Sequence, residues 1–251
     1  MPSQLSFACA VPVGAWHPFL PEALASLALQ KAQLEIALLD ASSDPRVAEA
    51  ADLSGIAFAY RRHGPDAGQA AAIAEGWRET RGDVLFWLNA DDRLLPGALG
   101  VVAKALEGRG QTPDVVYGGS DFIDRKGRVS GCHDQVADVS ELLLRSNTIS
   151  QPSCFARRDA VERAGGLDES LHFVMDWDLW LRLYGTGARF KRVDKTLSAV
   201  YMGDDTKTGL LNGRRLIEVF SLVSRNAGSW AAVKSTLSLA GHTLHRRWSR
   251  S

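Results

Sequence analysis

Apolar and polar positions along the chain follow two alternating rhythms. Residues 5–11 (LSFACAV), 34–40 (LEIALLD), 55–62 (GIAFAYRR), 83–89 (DVLFWLN) and 114–124 (DVVYGGSDFID) are short apolar runs and read as strands. Between them, 18–30, 67–80 and 96–108 carry apolar residues at helical spacing, with prolines near the start of the first and last. Strands apolar on both faces, alternating with helices, predict an α/β fold with a mostly parallel central sheet flanked by helices. The second half is less regular. Residues 140–170 mix short helices with a strand-like piece, 175–185 read as a helix, 188–202 as two strands, and 209–248 as two helical segments broken near Asn226 and Gly228. With no repeat and no low-complexity linker, the expected division is one domain over 1–208 and a helical C-terminal extension over 209–251 packed on it.

Composition narrows the classes. At 251 residues and 45% hydrophobic the chain has ample material for one large core. Its 29 Lys and Arg balance 29 Asp and Glu, so no global field draws it to nucleic acid. Cys9, Cys132 and Cys154 lie far apart without zinc spacing and read as reduced, mostly structural thiols. The N-terminus lacks the basic and apolar regions of a secretory leader, and no run of about 18 apolar residues occurs, so a cytoplasmic protein is expected.

The chemistry concentrates in carboxylates at strand ends. In such a sheet ligands sit beyond the carboxyl ends of the strands. The run LFWLNADDRLLPG (85–97) ends an inner strand and delivers Asp91 and Asp92 side by side. Such a pair repels itself unless cations or donors satisfy it. A solvated turn or helix cap is the plain reading, and an Mg²⁺ or Mn²⁺ site completed by diphosphate oxygens is the functional one. Asp40 and Asp44 end the second strand around small hydroxyl residues, a turn leading to a helix or a nucleoside contact. Asp66 and Gln69 follow the third strand, as turn residues or cleft residues. Asp176 shares a helix face with Leu179, Trp180 and Leu183, so it is either an N-cap or a partly desolvated general base. Asp178 faces Arg182 at i+4 as an ordinary ion pair.

Taken in order, these segments resemble the family 2 glycosyltransferases of GT-A fold over roughly residues 4–208. The segments LLDASSD, GPDAGQAAAIAEGWRETRGDVLFWLNADDRLLPGAL, VVYGGSDFIDRKGRV, NTISQPSCFARR, GGLDESLHFVMDWDLWLRL and DDTKT follow the family's series. The resemblance implies inverting transfer of a sugar from a nucleotide-diphosphate sugar to a hydroxyl of a glycan or lipid-linked acceptor, in surface polysaccharide or lipopolysaccharide assembly. It implies that Asp40 contacts the base above the backbone of Val11, Pro12 and Val13. Asp66 and Gln69 would line the nucleotide side, Asp91 would face ribose or metal, and Asp92 would ligate Mn²⁺ or Mg²⁺. Asp176 would be the catalytic base, with Asn147 and Gln151 bordering sugar or acceptor. The sequence departs from the family at Asn89 and Ala67, where many members carry an acid and a lysine. It also has no histidine before Thr206-Lys207-Thr208, where Asp204 or Asp205 could serve. A non-catalytic nucleotide-sugar or glycan-binding protein of the same fold is the alternative.

Trp177 and Trp180 flank the expected base and read equally as acceptor contacts or as core, whereas Trp87, inside a strand, reads as core. The tail carries His245, Arg246, Arg247 and Arg250 beside Leu237, Leu239, Leu244 and Trp248. It reads either as a helix packed on the domain with a frayed end or as a peripheral membrane contact at the inner face.

Overall fold

The computed structural model describes residues 5–107, 111–133, 139–203 and 212–248, with side chains to residue 241. Strands β1 (Ser6–Val13), β2 (Gln33–Asp40), β3 (Tyr60–His63) and β4 (Val84–Trp87) alternate with helices α1 (Leu20–Ala28), α2 (Pro45–Leu53) and α3 (Gln69–Arg78). There follow β5 (Arg93–Leu94), α4 (Ala98–Leu106), β6 (Val115–Ile123), β7 (Val129–Cys132), β8 (Cys154–Arg157), α5 (Arg158–Arg163), α6 (Met175–Gly185), β9 (Phe190–Tyr201), α7 (Gly213–Ala227) and α8 (Ser229–Trp248). The sheet runs β3-β2-β1-β4-β8-β6-β9-β5, with β7 paired to β6. Its first four strands are all parallel, as the apolar runs predict. Beyond β4 it is mixed, because β8 enters antiparallel to both β4 and β6.

Alternation along the strands builds two cores. Phe7, Cys9 and Val11 of β1 face α1, α2 and α4, while Ala8 and Ala10 face α3. The small face is required, since a Cβ on Gly76 of α3 would lie 2.9 Å from side-chain carbons of Ala10 and Leu39. Large side chains on one face and alanines on the other set α3 close against the sheet.

Two sequence expectations need correction. The run 55–62 is strand only from Tyr60. Gly55, at φ 68°, turns the chain, and Ile56 and Phe58 pack on the core from a loop before the edge strand begins. Residues 188–202 form one strand instead of two. Its pairing with β6 shifts between Tyr117↔Arg192 and Gly119↔Thr196, so a bulge stands where a break is expected. The bulge crosses Gly118, where a Cβ would meet the Lys195 carbonyl at 2.7 Å.

Four buried hydroxyls pin this half. Ser120 of β6 lies 2.7 Å from Ser150 and 2.8 Å from both Ser153 and Ser198, tying β6 and β9 to the loop that carries Gln151.

Candidate functional site

The strand order makes the cleft. From β1 the chain moves to β2 and β3 on one side, then returns to β4 on the other, so a crevice opens beyond the carboxyl end of β1. Val13 ends β1 opposite Asp40, and the Val13 carbonyl accepts from Ala41 N at 2.9 Å. Val11 and Pro12 lie buried just before it. Asp40 therefore stands on the β2 side, with Asp91 and Asp92 on the β4 side.

Asp40 is almost fully buried and accepts from Ser42 N at 2.9 Å and Ser42 Oγ at 2.6 Å, with His63 Nδ1 at 2.8 Å. Burial pushes its carboxyl up, but the Ser42 hydroxyl and amide and His63 outweigh that and hold it below the ordinary value. Asp44 has the plainer role, capping α2 through Arg46 N. Asp66 accepts from Gly68 N at 2.9 Å and pairs with Arg62 at 3.1 Å, shaping the turn into α3.

On the β4 side, Asn89, Ala90, Asp91 and Asp92 form one turn, closed by Asp92 N donating to Asn89 O at 3.1 Å. Asn89 is its hub. Its Oδ1 accepts from Gln69 Nε2 at 2.8 Å, and its Nδ2 donates to Asp92 Oδ2 at 2.9 Å and to Gln151 Oε1 at 3.2 Å. Gln151 is oriented in turn by donating to Trp87 O at 2.8 Å. An amide suits this position, because it both accepts from Gln69 and donates to Asp92, which an ionised acid could not do. Asp92 is only 3% exposed and also accepts from Tyr201 N at 3.3 Å. Burial, then the neighbouring charge of Asp91, drive its carboxyl well above the ordinary value. Its burial and its bonds to Asn89 and Tyr201 exclude the solvated-turn reading, and Asp92 does not cap α4, which starts from Gly97 with no side-chain cap.

A buried carboxylate beside a second one fits a divalent cation, which takes one or two carboxylates and fills its shell with phosphate oxygens and water. Among the described residues no group of three or more His, Cys, Asp or Glu side chains gathers as a closed cage. Asp204 and Asp205, the candidates for a third ligand, lie outside the described residues, as do Thr206, Lys207 and Thr208.

Asp176 is half-buried in the first turn of α6 and accepts from Asn147 Nδ2 at 2.8 Å. It is not the N-cap, a position held by Val174 without a side-chain bond. Its charge reaches Cys154, whose thiol burial already pushes up. It also reaches Arg215 of α7, whose guanidinium burial pushes down. Asn147 and Gln151 are four residues apart on one loop, so the Asp92 turn and Asp176 are joined through a single short segment.

The tryptophans are a correction. Trp180 is 2% exposed and stacks on Trp87 with ring centroids 5.9 Å apart. Trp177 is 5% exposed and donates to Leu143 O at 2.6 Å. Both rings fill the core behind Asp176, because α6 is buried over most of its circumference, on Trp177 and Leu181 as well as on the Leu179, Trp180 and Leu183 face, so neither offers a face to an acceptor. Trp87 is core, as its strand position implies. Asp178 pairs with Arg182 at 2.8 Å, as the i+4 spacing implies.

Three residues escape a reading of the sequence. His63 carries no motif, yet it meets Asp40 across adjacent strands. Arg215 and Glu218 come from α7. Glu218 is 9% exposed and accepts from Phe173 N at 2.7 Å, His172 N at 3.2 Å and Arg214 Nε at 2.9 Å. It thus holds the backbone just ahead of Asp176.

A family model described as Glycosyl transferase family 2 matches residues 14–164. The O-antigen biosynthesis protein RfbC of Myxococcus xanthus is 33% identical over 171 residues, which is 66% of this chain but 13% of that protein. An uncharacterised glycosyltransferase of Rickettsia conorii is 26% identical over 186 residues, 69% of this chain and 30% of its own length. The chain thus spans less than half of these relatives. Among solved structures, Staphylococcus aureus TarS 1–349 in complex with UDP-GlcNAc superposes with a TM-score of 0.68 at 16% identity, covering 88% of this chain and 66% of that one. The mannosyltransferase PcManGT of Pyrobaculum calidifontis, in complex with GDP-Man and Mn²⁺, gives 0.66 at 14% identity, covering 100% of this chain and 77% of that one. These neighbours are GT-A glycosyltransferases, and this chain has their fold.

Proposed function

The chain belongs to glycosyl transferase family 2, and on that premise we propose that it moves a sugar from a nucleotide-diphosphate sugar to an acceptor hydroxyl with inversion. One observation carries the reading. Asn147 and Gln151 of one short loop touch the proposed base and the carboxylate turn respectively, so an acid-rich anchor and a proton acceptor border the same cleft. In this reading the nucleoside lies over the end of β1, between Val11–Val13 and Asp40, with Asp66 and Gln69 along its edge. Asp91 and Asp92 would hold Mn²⁺ or Mg²⁺, which when bound neutralises the diphosphate as it leaves. Asn147 orients the Asp176 carboxylate by donating to Oδ2. Asp176 takes the acceptor proton as the hydroxyl attacks the anomeric carbon from the face opposite the diphosphate, and no covalent intermediate forms.

The likeness to the O-antigen biosynthesis protein RfbC supports a role in surface polysaccharide assembly. In this reading the acceptor is a hydroxyl of a glycan or lipid-linked molecule. Among the described residues no helix is long and apolar enough to cross a membrane.

The test is thermal shift against UDP-, GDP-, dTDP- and CMP-sugars with Mn²⁺, Mg²⁺ or EDTA, on wild type and Asp176→Asn. A ligand that binds only the native state raises the melting temperature, by about 2.7 kcal/mol of added stability at a hundredfold excess over Kd. The expected result is a shift for one nucleotide class that EDTA removes, kept in Asp176→Asn while transfer falls by about a thousandfold. Normal turnover in Asp176→Asn would remove the base assignment. Nucleotide binding without transfer in wild type would favour the binding-protein alternative.

A further inference from the structure

The C-terminal helices bury one face and leave a second apolar face in water. In α8, Ala232 is fully buried, and Ala231 and Leu239 pack on the core. On the other side, Trp230 is 80% exposed, Leu237 68% and Val233 38%, and these positions share one helix face with the exposed Lys234. In α7, Val219, Leu222 and Val223 point inward while Ile217 (70%) and Phe220 (40%) point out. Of the ten large apolar residues exposed among the described residues, five lie on these two helices. A helix covering a soluble domain normally turns polar residues outward, so this distribution calls for an occupant.

Charge selects it. Residues 209–251 hold seven Lys and Arg against one Glu, leaving twenty-two against twenty-eight in residues 1–208. The neutral chain is thus an acidic body joined to an extension of net positive charge. Arg214 pairs with Glu218, Arg225 lies 3.8 Å from Asp178 and Arg215 is half-buried, so the cations left for a surface are Lys234 and, by sequence, Arg246, Arg247 and Arg250. We propose that the outward face of α8, with Ile217 and Phe220 of α7, docks on an anionic lipid bilayer. Trp230, Val233 and Leu237 enter the interface, and Lys234 with the basic residues at the end of the chain meets the lipid headgroups. Cationic charge together with exposed Trp and Leu is the combination that holds interfacial helices. The acidic body is repelled by the same surface, which orients the molecule with its extension down. A symmetric dimer through this face is disfavoured, because it would bring two basic surfaces together. This inference does not depend on the sugar-transfer reading.

The experiment is flotation of the full chain with vesicles of phosphatidylcholine alone or mixed with phosphatidylglycerol, at low and high salt. Binding is expected only to the anionic vesicles and is expected to weaken with salt. The double variant Trp230→Ser/Leu237→Ser should bind at least about tenfold more weakly, with an unchanged melting temperature because both side chains are exposed. Brominated lipid should quench tryptophan emission, and Trp230→Phe, made in a Trp248→Phe background because Trp248 lies on the same helix, should reduce that quenching, since Trp77, Trp87, Trp177 and Trp180 are each at most 5% exposed and Trp16 lies in the acidic body. Failure to float with anionic vesicles at low salt overturns the proposal. So does binding that the double variant retains in full, or a concentration-dependent dimer that the double variant abolishes.

Discussion

Asp40 shows how neighbours set a single group's behaviour. Its carboxyl lies below the ordinary value because Ser42 and His63 overcome the cost of burial. A depressed carboxylate stabilises the fold above its unfolded value, about 3.9, and loses that contribution as pH falls through the lower folded value. The stability advantage of wild type over Asp40→Asn should therefore shrink as pH falls below about pH 4, where Asp40 takes up its proton. Urea titrations across that range check this, and a difference independent of pH would mean that the His63 and Ser42 contacts do not hold the charge. The carboxylates themselves were legible in the sequence, since residue type and strand-end position announce them. Their partners were not. His63 reaches Asp40 because β2 and β3 pair with Asp40 opposite His63, a register that no local pattern encodes.

Elements pack to the tolerance of a methyl group. Gly82 precedes β4, and a Cβ there would sit 2.3 Å from the Phe7 carbonyl carbon and 2.5 Å from Ala8 N. Backbone atoms cannot yield as a flexible side chain can, so Gly82→Ala should destabilise by about 3 kcal/mol or more. Gly100 is the contrast. It lies within α4, and a Cβ added there would meet nothing within 4 Å, so Gly100→Ala should stabilise by about 1 kcal/mol. Denaturant midpoints for the pair measure both signs in one experiment. At this scale the periodic helices were legible, and the 175–185 helix agrees with α6 at both ends. The β9 bulge and the late start of β3 were not, because each depends on what the strand pairs with and not on its own residues.

The molecule as a whole is organised so that its two halves meet at one cleft. The ends of β1, β2 and β4 supply the side with Asp40, Asp91 and Asp92. The second half supplies the loop with Asn147 and Gln151, and α6 with Asp176. The extension then braces the second side, because Glu218 accepts from the amides of His172 and Phe173. Glu218→Ala leaves those donors and Arg214 without this acceptor, and should cost about 1–3 kcal/mol. It should lower kcat while leaving the nucleotide Kd unchanged, since its bonds all run to the second half and the extension, and Glu218→Gln should fall between the two. Calorimetry for Kd beside steady-state transfer rates separates these effects, and equal losses in both would mean that Glu218 acts only through stability.

The sequence by itself determined the class of the molecule. Doubly apolar strands demand helices on both faces, and paired carboxylates at an inner strand end demand a cation or donors, whatever the rest of the fold. Only the tertiary structure decided which polar groups meet. It made Asn89 the hub between Gln69, Asp92 and Gln151, brought a second-half loop to both acidic centres, and turned Trp177 and Trp180 into the core. It also placed Glu218 under the backbone that leads to Asp176. Burial and hydrogen bonding between residues 20 to 109 positions apart depend on strand order and register, which are properties of the assembled sheet and not of any segment within it.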